Sequence, residues 1–194
     1  EIIRRYFASA VSLRQGLAEQ NEVYKEELLM NQVGVKPADR AVVPAARQRA
    51  EETGGPAVAM EMPDGKIITG KTSPLLGASS ACLLNALKYL GGIANEVTLI
   101  APAIIEPIQH LKVSHMGNHN PRLHTDEVLI ALSICAVTDP NAEKAMDALA
   151  SLAGCDVHSS VILSRVDENV FQRLGMYLTC EPHYQTKKLY HGKK

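Results

Sequence analysis

The chain has 194 residues, a 46% apolar fraction, two Phe, no Trp and a formal net charge of -1. That is enough chain for one domain, or one domain with an appendage, with a core of Leu, Ile, Val, Ala and Met. A near-neutral balance gives no overall field for nucleic acid or an anionic membrane, and no apolar run reaches spanning length.

Residues 1–53 read as helical. Ile2, Ile3, Tyr6, Phe7, Ala10 and Val11 recur at helical spacing. Gly34 and Pro37 interrupt the run, and a further helix from Pro44 to Glu52 stops at Gly54-Gly55-Pro56. The helical pattern is already running at Glu1, which reads as a piece of a longer protein. From Pro56 the character changes. Ala57–Met62 reads as a strand, Pro63-Asp64-Gly65 as a turn, and Lys66–Thr69 as the returning strand. Ser79–Leu90 is predicted to be a buried helix stopped by Gly91-Gly92.

Val97–Ala101 reads as a short buried strand, with Pro102 or Pro107 opening the next helix. The ten-residue apolar run Val128–Val137 is long enough for a fully buried strand. Asp139-Pro140 is a cap and first turn for a helix over Ala142–Leu152. Val157–Val166 reads as a strand, Asp167 as the cap of a helix over Asn169–Leu174, and Met176–Thr179 as a last strand. The resulting β-α-β-α-β series predicts an α/β three-layer sandwich with a largely parallel sheet. It divides into a helical subdomain over residues 1–55 and an α/β domain over 56–194 that begins with a β-hairpin.

Chemistry-bearing motifs are few. Gly65–Thr72 matches the phosphate-loop formula G-x-x-x-x-G-K-[ST] letter for letter. The context opposes it: the first Gly sits in a turn, Ile67 and Ile68 favour a strand, and Pro74 pushes Ser73 out of the helical region. A different anion site survives. Gly77-Ala78-Ser79-Ser80 opens a helix whose N–H groups and hydroxyls suit a phosphate or carboxylate. Lys71, Thr72 and Ser73 precede it closely. Arg122 would supply a bidentate anion contact, and His124 or His158 a proton-transfer group. Ser79 capping its own helix is the plain structural alternative.

The loop containing His115, His119, His124, Asp126 and Glu127 matches no standard metal frame. Two C-x-x-H pairs, Cys155/His158 and Cys180/His183, invite a zinc reading, but i, i+3 side chains on a strand point to opposite faces. No metal site is therefore assigned. Ser79, Ser80, Ser159, Ser160, His124, His158 and Asp126 are loose parts for a hydrolase, without a G-x-S-x-G elbow. Asp139 and Asp167 already have roles as helix caps. The four cysteines, Cys82, Cys135, Cys155 and Cys180, are widely spaced and suit a reducing, cytoplasmic setting. The lysines at 187, 188, 193 and 194 form a short basic tail.

Longer stretches are more specific. "TGKTSPLLGASSACLLNALKYLGGI", "APAIIEPIQHLK", "NPRLHTDEVLIALSICA", "HSSVILSRVDENVFQRLG" and "LTCEPHYQTKKLYH" together resemble the bacterial family known as domain of unknown function 1846. The resemblance covers essentially the whole chain. It implies the C-terminal part of a longer cytoplasmic protein, with a helical subdomain followed by a three-layer α/β subdomain. It implies no activity, cofactor or catalytic residue. The expectation is thus an uncharacterised protein that binds a small anionic or phosphorylated ligand at the Lys71/Ser79 region. The alternative is an assembly module that packs on a missing N-terminal region or on a second subunit.

Overall fold

The computed structural model describes residues 1–185; the basic tail lies outside the described residues. Three helices come first: α1 (Ile2–Arg14), α2 (Gln20–Val33) and α3 (Val42–Thr53). Each buries one stripe, Phe7 and Ala10 on α1, Val23 and Met30 on α2, and Val42, Val43 and Ala46 on α3. The next two elements are the predicted hairpin, β1 (Ala57–Glu61) and β2 (Ile67–Lys71), paired antiparallel from Ala57↔Lys71 to Glu61↔Ile67. Gly65 closes its turn at φ 84°, a left-handed backbone that favours glycine.

The remaining elements are α4 (Ala78–Leu90), α5 (Pro102–His110), α6 (Thr125–Cys135), α7 (Pro140–Asp147), β3 (Asp156–Ser159), α8 (Arg165–Arg173) and β4 (Tyr177–Cys180). A π turn, Leu111–His115, extends α5. Asp139 caps α7 as expected, its Oδ1 accepting from Asn141 N at 2.8 Å.

Among the described residues the strands form one sheet in the order β2-β1-β3-β4. The expected largely parallel sheet is corrected to a mixed one. β1 runs antiparallel to both β2 and β3, and only β3 and β4, joined through α8, run parallel. The cause is mainly one segment. The run Val128–Val137 is not a strand but falls mostly within α6. An apolar run alone does not separate strand from buried helix. Here the start decides: Glu127 Oε2 accepts from His124 N at 2.8 Å, and Asp126 and Glu127 sit in the first turn, where the helix dipole favours acid. Val128, Ala131 and Leu132 then bury one face, while Ile130 and Ile134 stay exposed.

Val97–Ala101 is also not a strand; it is an irregular segment whose Leu99 and Ile100 are buried on the way to Pro102, the first residue of α5. The strand expected over Val157–Val166 is shortened to Asp156–Ser159, and Ser164 caps α8 where Asp167 was expected to do so.

Helices cover both faces of the sheet. On one face Ala59 packs with Val42 and Ala46 of α3. On the other, Val58 and Met60 join the main core with Cys82, Leu83 and Leu87 of α4. Buried Arg40 fastens the β3–β4 pair, donating to Thr179 Oγ1 at 3.1 Å, Asp156 Oδ1 at 3.0 Å, Val157 O and Tyr177 O.

The tightest contact lies between β2 and α4. A Cβ on Gly70 would stand 2.1 Å from Cys82 N and 2.5 Å from Cys82 Cα. Those atoms are backbone and cannot give way. Gly70→Ala is expected to cost about 3 kcal/mol, the upper end for overpacking, and to lower the melting temperature by roughly 10 °C for a chain of this length. Differential scanning calorimetry checks this; an unchanged melting temperature would contradict the close approach.

Candidate functional site

The phosphate-loop letters do not build a nucleotide cradle. Ile67 and Ile68 are paired with Glu61 and Met60, and no helix starts at Lys71. The helix that does start nearby is α4, at Ala78 behind an N-cap Gly77 that has no side-chain cap. Its first N–H groups lack partners from its own backbone, as at any helix start.

Two loops are joined in front of this helix. Leu123 N donates to Leu75 O at 3.0 Å, Gly77 N donates to Leu123 O at 3.3 Å, and Ser80 Oγ donates to Leu123 O at 2.9 Å. The pairing carries Arg122 and His124 to the start of α4. Arg122 Nε donates to Ser73 O at 2.8 Å, which leaves its terminal amino groups without a hydrogen-bond partner among the described residues. Thr72, Ser79, Arg122, His124 and Asp167 line a cleft of about 30 Å³. That is room for one or two waters or one compact oxyanion group. Ser79 is 3% exposed, and its hydroxyl has no hydrogen-bond partner among the described residues.

His124 and Asn120 also border a larger hollow of about 440 Å³, lined further by Asn118, His119, Asp126 and Glu127. The His124 ring stands between the two spaces. Its Nδ1 lies 3.0 Å from Asp167 Oδ2. A carboxylate only accepts, so the ring proton sits on Nδ1 and Nε2 is free to accept. Asp167 is itself saturated: Thr125 N and Thr125 Oγ1 donate to Oδ1, both at 2.9 Å, and Ser164 Oγ donates to Oδ2 at 2.8 Å. Burial alone would raise the Asp167 carboxyl, but these donors hold it below its usual range. The hydrogen bond to Asp167 raises His124, against the effect of its burial.

Asp167 is the residue that sequence reasoning missed, because a helix-cap role already accounted for it. Ser164-x-x-Asp167, a hydroxyl three residues before an acid, was the available signal: it marks Ser164 as the cap and frees Asp167 for another task.

Other expected residues are placed elsewhere. Lys71 is exposed and pairs with Ala57, so it points to the α3 face, away from α4. Ser73 Oγ accepts from Leu75 N and Leu76 N and so closes its own turn. His158, fully buried on β3, pairs with Ala59 and lies on the α3 face. Its ring packs against Phe7, its Nε2 meets Glu181 Oε1 at 3.1 Å, and its Nδ1 lies 2.8 Å from Thr179 Oγ1. Arg47 Nε also donates to Glu181 Oε1, at 2.6 Å. Burial opposes ionisation of Glu181, yet the bonds from His158 and Arg47 bring it down to about 2. The sheet separates His158 from His124. Cys82 and Cys180 are buried thiols pushed up by desolvation. Among the described residues, no three or more His, Cys, Asp or Glu side chains gather so as to hold a metal ion. Nor, among the described residues, is any helix long and apolar enough to cross a membrane.

The class is therefore an α/β protein with a mixed sheet, in which a helix start, an arginine and a histidine–aspartate pair share one cleft. Residues 38–190 match the family model described as "Domain of unknown function DUF1846, C-terminal", and the chain belongs to that family. A UPF0371 protein of Corynebacterium aurimucosum is 52% identical over 194 residues, which is all of this chain and 39% of the relative. A UPF0371 protein of Streptococcus pneumoniae is 50% identical over 190 residues, 98% of this chain and 38% of the relative. The chain thus spans about two fifths of the length of these bacterial relatives.

The half-buried His124 and the buried His158 affect stability with opposite sign. His124 titrates above its ordinary value of about 6.5, so its contribution is present at lower pH and lost as pH rises through the folded value. Burial pushes His158 below that value, so it costs stability as pH falls through about 6.5. Thermal melts between pH 8 and pH 5 are expected to show a smaller acid-induced fall for His158→Gln than for the wild type, and a larger one for His124→Gln. The reverse order would contradict the assignment.

Proposed function

We propose that the cleft binds the anionic end of a small carboxylated or phosphorylated molecule, whose body occupies the adjoining hollow. The observation that carries this reading is Ser79, a residue 3% exposed whose hydroxyl forms no hydrogen bond among the described residues and which lines a cleft of about 30 Å³ at an uncapped helix start. Three further features support it. The N–H groups of α4 and the helix dipole favour an anion there. Arg122 lines the same wall, and it forms no ion pair among the described residues. His124 stands where the cleft meets the hollow, which suits a group that gives or takes a proton at the ligand. On this reading Lys71 acts at most from outside, and His158 serves the packing of the α3 face.

Isothermal titration with inorganic phosphate, a nucleotide and a sugar phosphate tests the proposal. Ser79→Ala is expected to weaken binding about 3- to 10-fold, and Arg122→Gln about 10- to 100-fold, the range for losing a neutral and a charge-assisted hydrogen bond respectively. Lys71→Ala is expected to bind as the wild type does. Absence of heat above buffer for all three compounds would end the anion reading.

A second reading is carried by the outer face of α6 and the residues after it. Ile130, Ile134 and Val137 are 61%, 64% and 81% exposed. They follow one another at i, i+4, i+7, the spacing of a docking stripe. We infer that two copies of this chain meet there. Light scattering is expected to give a dimer that Ile134→Lys converts to a monomer; a wild-type monomer at about 100 µM, where interfaces of ordinary size are occupied, removes this reading.

A further inference from the structure

We propose that Asp167 is the positioning residue that makes His124 a proton-exchanging partner for an anion seated in this cleft. The inference rests on the anion reading above and deepens it by naming the residue that orients its proton-exchanging group.

The geometry of Asp167 leaves it no freedom. It is 6% exposed, in the first turn of α8. Four donors occupy its two oxygens: Thr125 N and Thr125 Oγ1 on one, Ser164 Oγ and His124 Nδ1 on the other. The carboxylate therefore ties the start of α6 to the start of α8, and the imidazole takes its direction from that tie. The His124 side chain is 25% exposed, and its Nε2 has no hydrogen-bond partner among the described residues. Nε2 is the only ring atom left to meet a ligand, and in the neutral ring it accepts.

The charges around the ring favour an anion. From the π turn after α5, Lys112 Nζ is held by Glu127 Oε2 at 2.7 Å, so that pair is close to neutral. From α6, Asp126 borders the hollow, not the cleft, and His119 borders the hollow from the loop before α6. From α8, Asp167 is matched by His124. Arg122 and the start of α4 remain, together roughly one and a half positive charges, counting the helix end as about half. A protonated His124 balances Asp167 and leaves that total unchanged, so the cleft favours an anion. An anion beside Nε2 in turn favours the imidazolium. The proton comes from solvent onto Nε2 as the ligand seats.

Two measurements separate this inference from the reading beneath it. The first needs no ligand. Nitrogen-15 NMR of His124 in the free protein is expected to show the Nδ1–H tautomer above its titration. Asp167→Asn is expected to shift that titration down by a unit or more, since an amide cannot match a carboxylate as partner. An Nε2–H tautomer in the wild type, or an unmoved titration in the variant, overturns the positioning role whether or not anything binds.

The second is calorimetry with phenyl phosphate and phenyl sulfate at pH 7.5, in two buffers of different ionisation enthalpy. Binding of either ester is expected to bring net proton uptake, since an anion beside Nε2 favours the imidazolium. His124→Gln, which leaves the carboxylate of Asp167 in place, is expected to keep weaker binding but lose the proton uptake. Uptake unchanged in His124→Gln overturns the role of Nε2. No binding of either ester defeats the anion reading itself.

Discussion

The contact of Gly70 with the backbone of Cys82 sets the position of everything that follows it. At that point β2 and α4 touch without an intervening side chain. The helix is thereby pressed against one face of the sheet, with Cys82, Leu83 and Leu87 in the main core. Its first turn, seven residues beyond the end of β2, then lies where the loop around Leu123 can hydrogen-bond to it. A helix start held this firmly keeps its N–H groups aimed at one place, which is the condition for a preorganised anion site. The fold thus turns a packing necessity into a directional one.

The two faces of the sheet divide the polar work. On the α4 face, Asp167, Thr125 and Ser164 hold His124 with Nε2 open. On the α3 face, His158 is closed in by Phe7, Thr179 and Glu181, and Arg47 shares the same carboxylate. Both are histidine–carboxylate pairs, but they differ in access. A ring with an exposed edge can exchange protons with a ligand; a ring with no exposure fixes layers together and specifies their register. Neighbouring Arg40, which bonds to both parallel strands, has the same structural character.

Much of the architecture could be read from the residues. The hairpin, the buried helix after Gly77, the Asp139-Pro140 cap and the β3-α8-β4 crossover all carry local signals, and these signals agree with the fold. The α6 segment carries two conflicting signals. Its apolar run suits a strand, and the deciding information is the His124–Glu127 start together with burial on one side only. Sheet polarity followed that one misreading. The site was legible in half. Ser79, Thr72, Arg122 and His124 are local to two loops, whereas the face on which Lys71 and His158 lie depends on strand register, which pairing partners set. Asp167 reaches His124 across 43 positions, a separation that composition and spacing do not encode.

The cleft draws its walls from distant stretches, among them the end of the hairpin with the start of α4, the loop ahead of α6, and the start of α8. No one of them contains a usable half-site, so the binding surface comes into being only with the finished tertiary structure. A ligand seated there would favour the native ensemble by mass action and would report on its integrity. Long-range closure of this kind is also slow to assemble. Recognition competence would then be the last property acquired during maturation and the first lost under denaturing stress.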